Sequence, residues 1–325
     1  MPKAIVVHQV GGPEQLRFED VPDPAPGPGE VRVRHTAIGV NFIDVYFRTG
    51  LYKAPLPLVP GTEGAGVIDA VGAGVTGFAV GDRVAYAANG PGSYAEQRTL
   101  EAAQVVKLPE AISFETGAAM MLKGLTVEYL LLRTSPQGGL ARGDTIVWHA
   151  AAGGVGLIAM QWAKHLGLRV IGTAGGPDKC ALAKQHGAAE MIDYHREDVV
   201  ARVKELTGGK GVKVVYDSVG KDTFERSLDC LAPFGLLVAF GNASGPIPPF
   251  DVLSLSRKGS LYVTRPTLGT HTKEHVAEMA QHLFEIVASG AVKIDVAQRY
   301  PLAEAARAHA ELEGRNTTGS TILLP

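Results

Sequence analysis

The stretch Thr145–Gly176, TIVWHAAAGGVGLIAMQWAKHLGLRVIGTAGG, constrains this chain more than any other. It opens with a β-branched, apolar run, Thr145–Trp148, and breaks into Ala151-Ala152-Gly153-Gly154-Val155-Gly156. A helical pattern follows, with Leu157, Met160, Trp162, Ala163 and Leu166 on roughly one side and Gly167 as the stop. A second apolar run, Arg169–Ala174, closes the unit. Strand, glycine turn, helix and strand in that order make the first half of a dinucleotide-binding fold. Glycines in the turn let backbone N–H groups approach a pyrophosphate at the positive end of the helix. Gly156 lets the helix lie close against the strand. Ala151 stands where the usual fingerprint has its first glycine, so the motif is degenerate, and its placement between strand and helix carries the reading.

Downstream the alternation continues. Asp178–His186 reads as helix, Glu190–Asp193 as strand, Glu197–Leu206 as helix and Val212–Asp217 as strand. Thr223–Leu231 reads as helix, Leu236–Phe240 as strand, and Ser260–Thr264 as a sixth strand. Such spacing argues for a doubly wound parallel sheet. Upstream the period is two. Ala4–His8, Leu16–Asp20, Glu30–Gly39, Gly61–Val71 and Gly81–Tyr86 are short strands around a rigid loop, Val21–Gly29 (VPDPAPGPG), and suit a barrel-like domain. Asn41–Thr49 reads as a helical turn. From Ser113, a helix N-cap, two helices are expected, Glu115–Lys123 and Gly124–Arg133, with a loop over Pro136–Gly143. Helices at His275–Ala288 and Leu302–Leu312 and a strand at Ser320–Leu324 return to the first domain, since six strands already complete the parallel sheet.

Composition excludes several classes. The 325 residues suffice for two domains with proper cores. A formal net charge of -2 with no basic block argues against a nucleic-acid partner. Cys180 and Cys230 are the only cysteines, too few for a disulfide framework or a four-thiolate zinc site, and they suit a reducing cytoplasm. No signal-type N-terminus and no membrane-spanning apolar run are present in the sequence.

Taken together the motifs resemble the zeta-crystallin-like quinone oxidoreductases of the medium-chain dehydrogenase/reductase superfamily. The residues that carry the match are Asn41-Phe42-Ile43-Asp44 with Tyr46, Gly61-Thr62-Glu63-Gly64, Gly81-Asp82-Arg83-Val84 and Lys123-Gly124-Leu125-Thr126. HAAAGGVG at His149–Gly156, YDSVG at Tyr216–Gly220, FGN at Phe240–Asn242 and GSLYVTRP at Gly259–Pro266 complete it, in family order over nearly the whole length. The resemblance implies an α/β architecture: a GroES-like β-rich catalytic domain, residues 1–123 completed by 266–325, and a Rossmann domain, residues 124–265. It also implies an NADPH:quinone reductase working by hydride or single-electron transfer. The alternatives are an NADPH-dependent enone or alkenal double-bond reductase and, outside enzymes, a crystallin-like structural or RNA-binding protein. Zinc-dependent relatives place a cysteine where Asn41 sits and a His-Glu pair where Thr62-Glu63 sits. Amide and hydroxyl are poor zinc ligands, so no metal is expected.

The second strand ends Gly172-Thr173-Ala174-Gly175-Gly176 without the acid that binds a ribose 2′-OH, and Lys179 follows, which suits the 2′-phosphate of NADPH. By resemblance Lys179 and Tyr194 bind that phosphate, with Arg315 from the C-terminal segment. The cofactor set also takes in Asn41, Gly153, Gly154, Val155, Gly175, Ser218, Phe240, Gly241 and Asn242. Gly241 is expected to allow close backbone approach to the nicotinamide ribose. Thr126, read as the start of a helix, and Thr264, Arg265 and Pro266 join by resemblance alone. Asn41, Tyr46 and Tyr52 are the substrate-side residues, since amides and phenols can donate hydrogen bonds to a carbonyl oxygen as charge develops on it. No Ser-His-Asp arrangement and no paired carboxylates stand out, and His8, His35 and His149 read as surface or strand histidines. The apolar Ser260–Thr264 strand at the sheet edge invites pairing, and the resemblance implies a homodimer through it.

Overall fold

Along Glu30–Val40, Val31 and Val33 are buried while Arg32 and Arg34 reach outward, and this period-two strand anchors the larger sheet of the protein. The computed structural model describes residues 1–134 and 138–325, so the start of the expected 136–143 loop lies outside the described residues. In chain order the first elements are β1 (Lys3–Val6), β2 (Arg17–Asp20), β3 (Glu30–Val40), α1 (Phe42–Thr49), β4 (Glu63–Val71), β5 (Arg83–Ala87), β6 (Gln97–Glu101), β7 (Val105–Lys107) and α2 (Phe114–Glu128). Next come β8 (Thr145–Trp148), α3 (Gly154–His165), β9 (Arg169–Ala174), α4 (Pro177–Gln185), β10 (Glu190–Asp193), α5 (Val199–Leu206), β11 (Val212–Asp217), α6 (Phe224–Asp229), β12 (Leu231–Ala239), α7 (Leu253–Arg257) and β13 (Tyr262–Thr264). The last are α8 (Leu268–Ala288), β14 (Val296–Pro301), α9 (Ala305–Glu313) and β15 (Ser320–Leu324).

Two compact units emerge. The first comprises Met1–Leu125, His275–Ala288 and Ile294–Pro325. Its seven-stranded sheet runs β14-β15-β3-β4-β5-β7, with β6 also on β3, and β1 pairs β2 separately. The pairings are antiparallel except that of β14 with β15. Ile5, Val7, Ile38, Val40, Leu302 and Leu323 fill one core of this unit, and Val31, Val33, Ile68, Val84, Tyr86 and Leu100 fill another.

The second unit comprises Thr126–Glu274 and Ser289–Lys293. Its six strands are all parallel, in the order β10-β9-β8-β11-β12-β13. That is the order of a doubly wound dinucleotide fold, reversing direction between β8 and β11. Val147, Ile171, Ile192, Val215 and Leu237 pack one face of the sheet with Phe224 and Leu228 of α6. The short excursion 289–293 is held by Gln161, whose side chain accepts from Lys293 N at 2.9 Å and donates to Lys293 O at 2.9 Å.

Several expected boundaries move. The two helices expected on either side of Gly124 are one, α2, continued by a π-helical turn at Tyr129–Arg133. Gly124 is not a break: a Cβ there would run into the methyls of Leu283, so this glycine lets α8 close on α2 within the first unit. Thr126 therefore sits in the last turn of α2, not at a helix start. Ser113 does cap α2, accepting from Thr116 N at 3.1 Å. The helix expected over 223–231 stops at Asp229, because Leu231 already pairs with Val212 as the first residue of β12. The long C-terminal helix begins at Leu268, one and a half to two turns before His275.

Candidate functional site

The glycine turn leaves β8 at Trp148, and Ala150 adopts a left-handed φ of 54° to make the reversal. Gly153, extended, is the N-cap of α3 and offers no capping side chain, so the first-turn N–H groups of Gly154, Val155 and Gly156 suit an anionic guest. A Cβ on Gly156 would lie 2.5 Å from the carbonyl oxygens of both Ala150 and Ala151. Only glycine allows the turn to fold this closely under the helix. The cradle fits a pyrophosphate on the chain's own geometry.

One corner away, β9 delivers Gly175 and Gly176, and the latter's φ of 92° turns the chain into α4. Lys179 lies in the first turn of α4. From β10 come Tyr194 and His195, whose rings lie 4.7 Å apart. A Cβ on Gly175 would sit 2.5 Å from His195 Nε2 and 2.6 Å from Tyr194 OH, so both side chains converge over that glycine. His195 is a functional candidate the sequence reading missed. The signal was available, since the residues just after a strand ending at Asp193 must lie at the same sheet edge. An acid also reaches this corner from the neighbouring strand. Asp193 Oδ1 is committed to backbone, accepting from Gly176 N at 2.9 Å and His195 N at 3.1 Å, and these bonds hold it below the usual carboxylate range.

At the far side, β11, β12 and β13 end together, with Val238 opposite Thr264. Asp217 is fully buried and its Oδ1 accepts from Val219 N and Gly220 N at 2.8 and 3.1 Å, which fixes the turn after Ser218. Phe240 packs 5.7 Å from Trp148, which stacks on Tyr216 at 4.6 Å. The Asn242 amide, oriented to satisfy both neighbours, donates to Gly241 O at 3.0 Å and accepts from Arg265 at 3.2 Å. A Cβ on Gly241 would collide with the Ser218 backbone, so the absent side chain also lets this turn close on the one after β11. Pro266 directly follows Arg265 on the same edge. Thr126 belongs to this unit too, whereas Arg315, with a left-handed φ of 58°, belongs to the first.

In the first unit the substrate-side candidates gather on α1. Asn41 is its extended N-cap, and its N–H donates to Asp44 Oδ2 at 2.8 Å. The Asn41 amide Nδ2 donates to Glu63 Oε1 at 2.7 Å, and Lys123 Nζ reaches the same oxygen at 2.7 Å. Leu122 N supplies Glu63 Oε2 at 2.7 Å. Glu63 is fully buried and Lys123 nearly so. Asn41 is thus oriented by a buried ion pair. Tyr46 follows one turn later, its ring edge-on to Tyr52 at 5.2 Å, and Tyr52 N donates to Tyr46 O. Tyr46 and Tyr52 form one aromatic pair, and Asn41 caps the helix that carries Tyr46.

Beneath it runs a second polar string. Thr62 Oγ1 and Tyr94 OH donate to Asp44 at 3.3 and 3.0 Å. Tyr94 OH meets His309 Nε2 at 2.9 Å, and His309 Nδ1 meets Arg48 Nη1 at 3.1 Å. Arg48, almost wholly buried, forks onto Glu313 with two 2.8 Å bonds. Burial, with Glu63 adding repulsion, pushes Asp44 up to about 7, while burial beside Arg48 pushes His309 down to about 3. Two interacting buried carboxylates, Asp44 and Glu63, are therefore present where the sequence showed no such pair.

Of the three histidines read as surface or strand residues, His8 lies on the surface, His35 in β3 and His149 just after β8. His8 is exposed against Glu19. His35 is buried between Ala95 O and Tyr86 OH, each at 2.6 Å, and burial pushes it down to about 4. His149 is buried as well. Among the described residues no three His, Cys, Asp or Glu side chains form a group that could hold a metal ion.

Residues 27–110 match the family model "Alcohol dehydrogenase GroES-like domain", and residues 154–285 match "Zinc-binding dehydrogenase". A quinone oxidoreductase of Pseudomonas aeruginosa is 58% identical, with 100% of both chains covered. A 2-haloacrylate reductase of a Burkholderia species is 44% identical, covering 100% of this chain and 99% of its own length. The crystal structure of Escherichia coli quinone oxidoreductase complexed with NADPH is 49% identical and superposes with a TM-score of 0.96, covering 99% of this chain and 100% of that one. The chain belongs to the quinone oxidoreductases of the medium-chain dehydrogenase/reductase superfamily, built from a GroES-like domain and a Rossmann domain.

Proposed function

We propose that this protein is an NADPH:quinone oxidoreductase that works without zinc. The observation that carries the cofactor reading is the corner over Gly175, where Tyr194 and His195 converge on a position that a single Cβ would fill, with Lys179 in the first turn of the helix that follows. A 2′-phosphate fits that chemistry, with one cation and two hydrogen-bonding rings, while Asp193 is engaged by backbone. The glycine turn of Gly153, Gly154 and Val155 takes the pyrophosphate, and Ser218, Phe240–Asn242 and Thr264–Pro266 flank the nicotinamide end. Thr126 and Arg315 complete the set. NADPH, when bound, supplies the reducing equivalents as a hydride or a single electron. The protein's part is orientation: Asn41, fixed by Glu63, and Tyr46 braced on Tyr52 present hydrogen bonds to an acceptor carbonyl. Residues 124–265 serve the cofactor, and residues 1–123 with 266–325 serve the acceptor while lending Pro266 and Arg315 to the cofactor.

Zinc has no place in this reading because the Asn41 amide and Thr62 hydroxyl are poor zinc ligands, and each already donates a hydrogen bond, to Glu63 and Asp44. Elemental analysis finding one zinc per chain would overturn it. The comparison that tests the whole reading is steady-state NADPH oxidation with benzoquinone or naphthoquinones, alkenals and simple alcohols. Quinones should be turned over and alcohols should not. Efficient alkenal turnover without quinone turnover would favour the second reading, an activated-double-bond reductase, which the 44% identical 2-haloacrylate reductase keeps in view.

Two further outcomes are expected. Lys179→Ala should cost about tenfold in NADPH affinity, roughly 1.4 kcal/mol, and leave NADH binding unchanged. Equal losses for both cofactors, measured by fluorescence titration, would remove Lys179 from the phosphate site. The protein is proposed to be a homodimer formed through the Ser260–Thr264 edge, where β13 ends the sheet and Tyr262 is exposed. Val263→Pro, which takes an N–H from that strand, should shift the light-scattering mass towards monomer. A monomeric wild type at micromolar concentration contradicts the proposal. A cytoplasmic home fits the two free cysteines, and no helix among the described residues is long and apolar enough to cross a membrane.

A further inference from the structure

His149 opens the glycine turn, and nothing in the reading above uses it. Its ring is buried, 3% exposed, and both nitrogens are engaged: Nδ1 with Thr173 Oγ1 at 2.9 Å and Nε2 with Ser227 Oγ at 3.0 Å. Ser227 Oγ donates to Asp217 Oδ2 at 2.7 Å, so its oxygen is left to accept from His149 Nε2–H. Nδ1 then carries no proton and accepts the hydroxyl of Thr173. The tautomer is fixed by the network.

Each partner stands at the root of a different cofactor-binding segment. His149 precedes the turn at Ala150–Gly153, and its N–H donates to Tyr216 O at 3.0 Å. Thr173 ends one residue before Ala174-Gly175, and Ala151 N donates to its carbonyl at 3.0 Å. Asp217 precedes Ser218 and holds the next turn through Val219 N and Gly220 N. One imidazole therefore links the pyrophosphate turn, the 2′-phosphate corner and the nicotinamide edge. We propose that neutral His149 is a positioning residue that keeps these three segments in register for NADPH, and that protonating it loosens the dinucleotide site.

Protonation at Nδ1 would turn the Thr173 hydroxyl round, leaving its proton to seek a new acceptor while the buried ring gains a charge. The charged groups acting on the ring are Asp217 from β11, which favours the proton, and Arg226 from α6, which opposes it. Burial, helped by Arg226, outweighs Asp217 and holds the imidazole below its ordinary value. The native state thus binds fewer protons than the unfolded chain below about pH 6.5. Stability from this group is complete above that pH and is lost as pH falls towards the native value.

The inference rests on the NADPH reading, and its test separates the two. Affinity for NADP⁺, which survives acid better than NADPH, is measured by calorimetry from pH 7.5 to 5 for wild type, His149→Gln and Thr173→Val. Circular dichroism at each pH keeps the comparison to folded protein. Glutamine retains a donor and an acceptor but cannot be protonated. The 2′-phosphate also titrates near pH 6, but it does so equally in all three proteins. Wild-type affinity should fall with acid by roughly threefold more than that of His149→Gln, corresponding to about one third of the sites remaining competent. Thr173→Val, which removes the donor to Nδ1, should move the wild-type fall to higher pH. Should His149→Gln not fold, the shift in Thr173→Val decides alone. Parallel pH profiles in all folded proteins would overturn the role of His149 while leaving the cofactor reading intact. No NADP⁺ binding at pH 7.5 in the wild type would sink both.

Discussion

Breaking the Glu63–Lys123 pair is expected to cost this protein about 3–5 kcal/mol, the usual consequence of leaving one buried charge without its partner. Glu63 is 0% exposed and Lys123 5%, so neither can turn to water when the other is removed. Glu63→Gln strands the ammonium. Lys123→Met strands a carboxylate that still accepts from Asn41 Nδ2 and Leu122 N. The double variant removes both charges and should recover much of the loss, since a buried pair is often no better than an apolar replacement of similar size. Urea unfolding followed by circular dichroism, with the two singles and the double compared as a cycle, reads this out. Additive losses would mean that the two groups do not depend on each other. Because Glu63 also orients Asn41, Glu63→Gln should lower quinone turnover even below the unfolding transition.

The second large effect concerns Gly156. A methyl group there would press on two backbone carbonyls, Ala150 O and Ala151 O, each 2.5 Å away. Backbone atoms in a turn with a left-handed residue at Ala150 have little room to retreat, so the turn itself must open. Gly156→Ala should weaken NADPH binding by roughly hundredfold, about 2.8 kcal/mol, with a smaller fall in melting temperature. Binding within threefold of wild type would show that the turn can shift without loss, and the close packing of α3 would lose its functional meaning.

Much of the fold could be read from local pattern. Thr145–Trp148, Arg169–Ala174, Glu190–Asp193, Val212–Asp217 and Ser320–Leu324 are strands with the ends the sequence suggested. Each is a short apolar run bounded by a turn signal, and burial on the sheet enforces that signal. Gly124 misled because a glycine in a helix is locally a break, and only the approach of Leu283, far along the chain, shows its use. The same distance hid the polar strings. Asp44 lies one turn from Asn41 and was quoted in the family motif, but its buried neighbours Tyr94 and His309 come from elsewhere in the chain. His149, Thr173, Asp217 and Ser227 are likewise scattered over four segments that only the parallel sheet assembles. Residue type and spacing announce a motif when its members share one segment. They are silent when tertiary pairing brings the members together.

The pairing of β15 with β3 has a consequence for the order in which the molecule can be made. Thr321, Ile322 and Leu323 lie opposite Val40, Gly39 and Ile38, so residues from the far end of the chain complete a sheet begun within its first forty residues. The second unit is nearly contiguous, Thr126–Glu274 with one short addition, and has all six strands in hand well before β15 leaves the ribosome. Domains usually mature from the N-terminus onward during synthesis. Here the parallel domain can finish first, and the first unit must wait, its β3 edge open at Ile38–Val40, until residues 320–324 have been made.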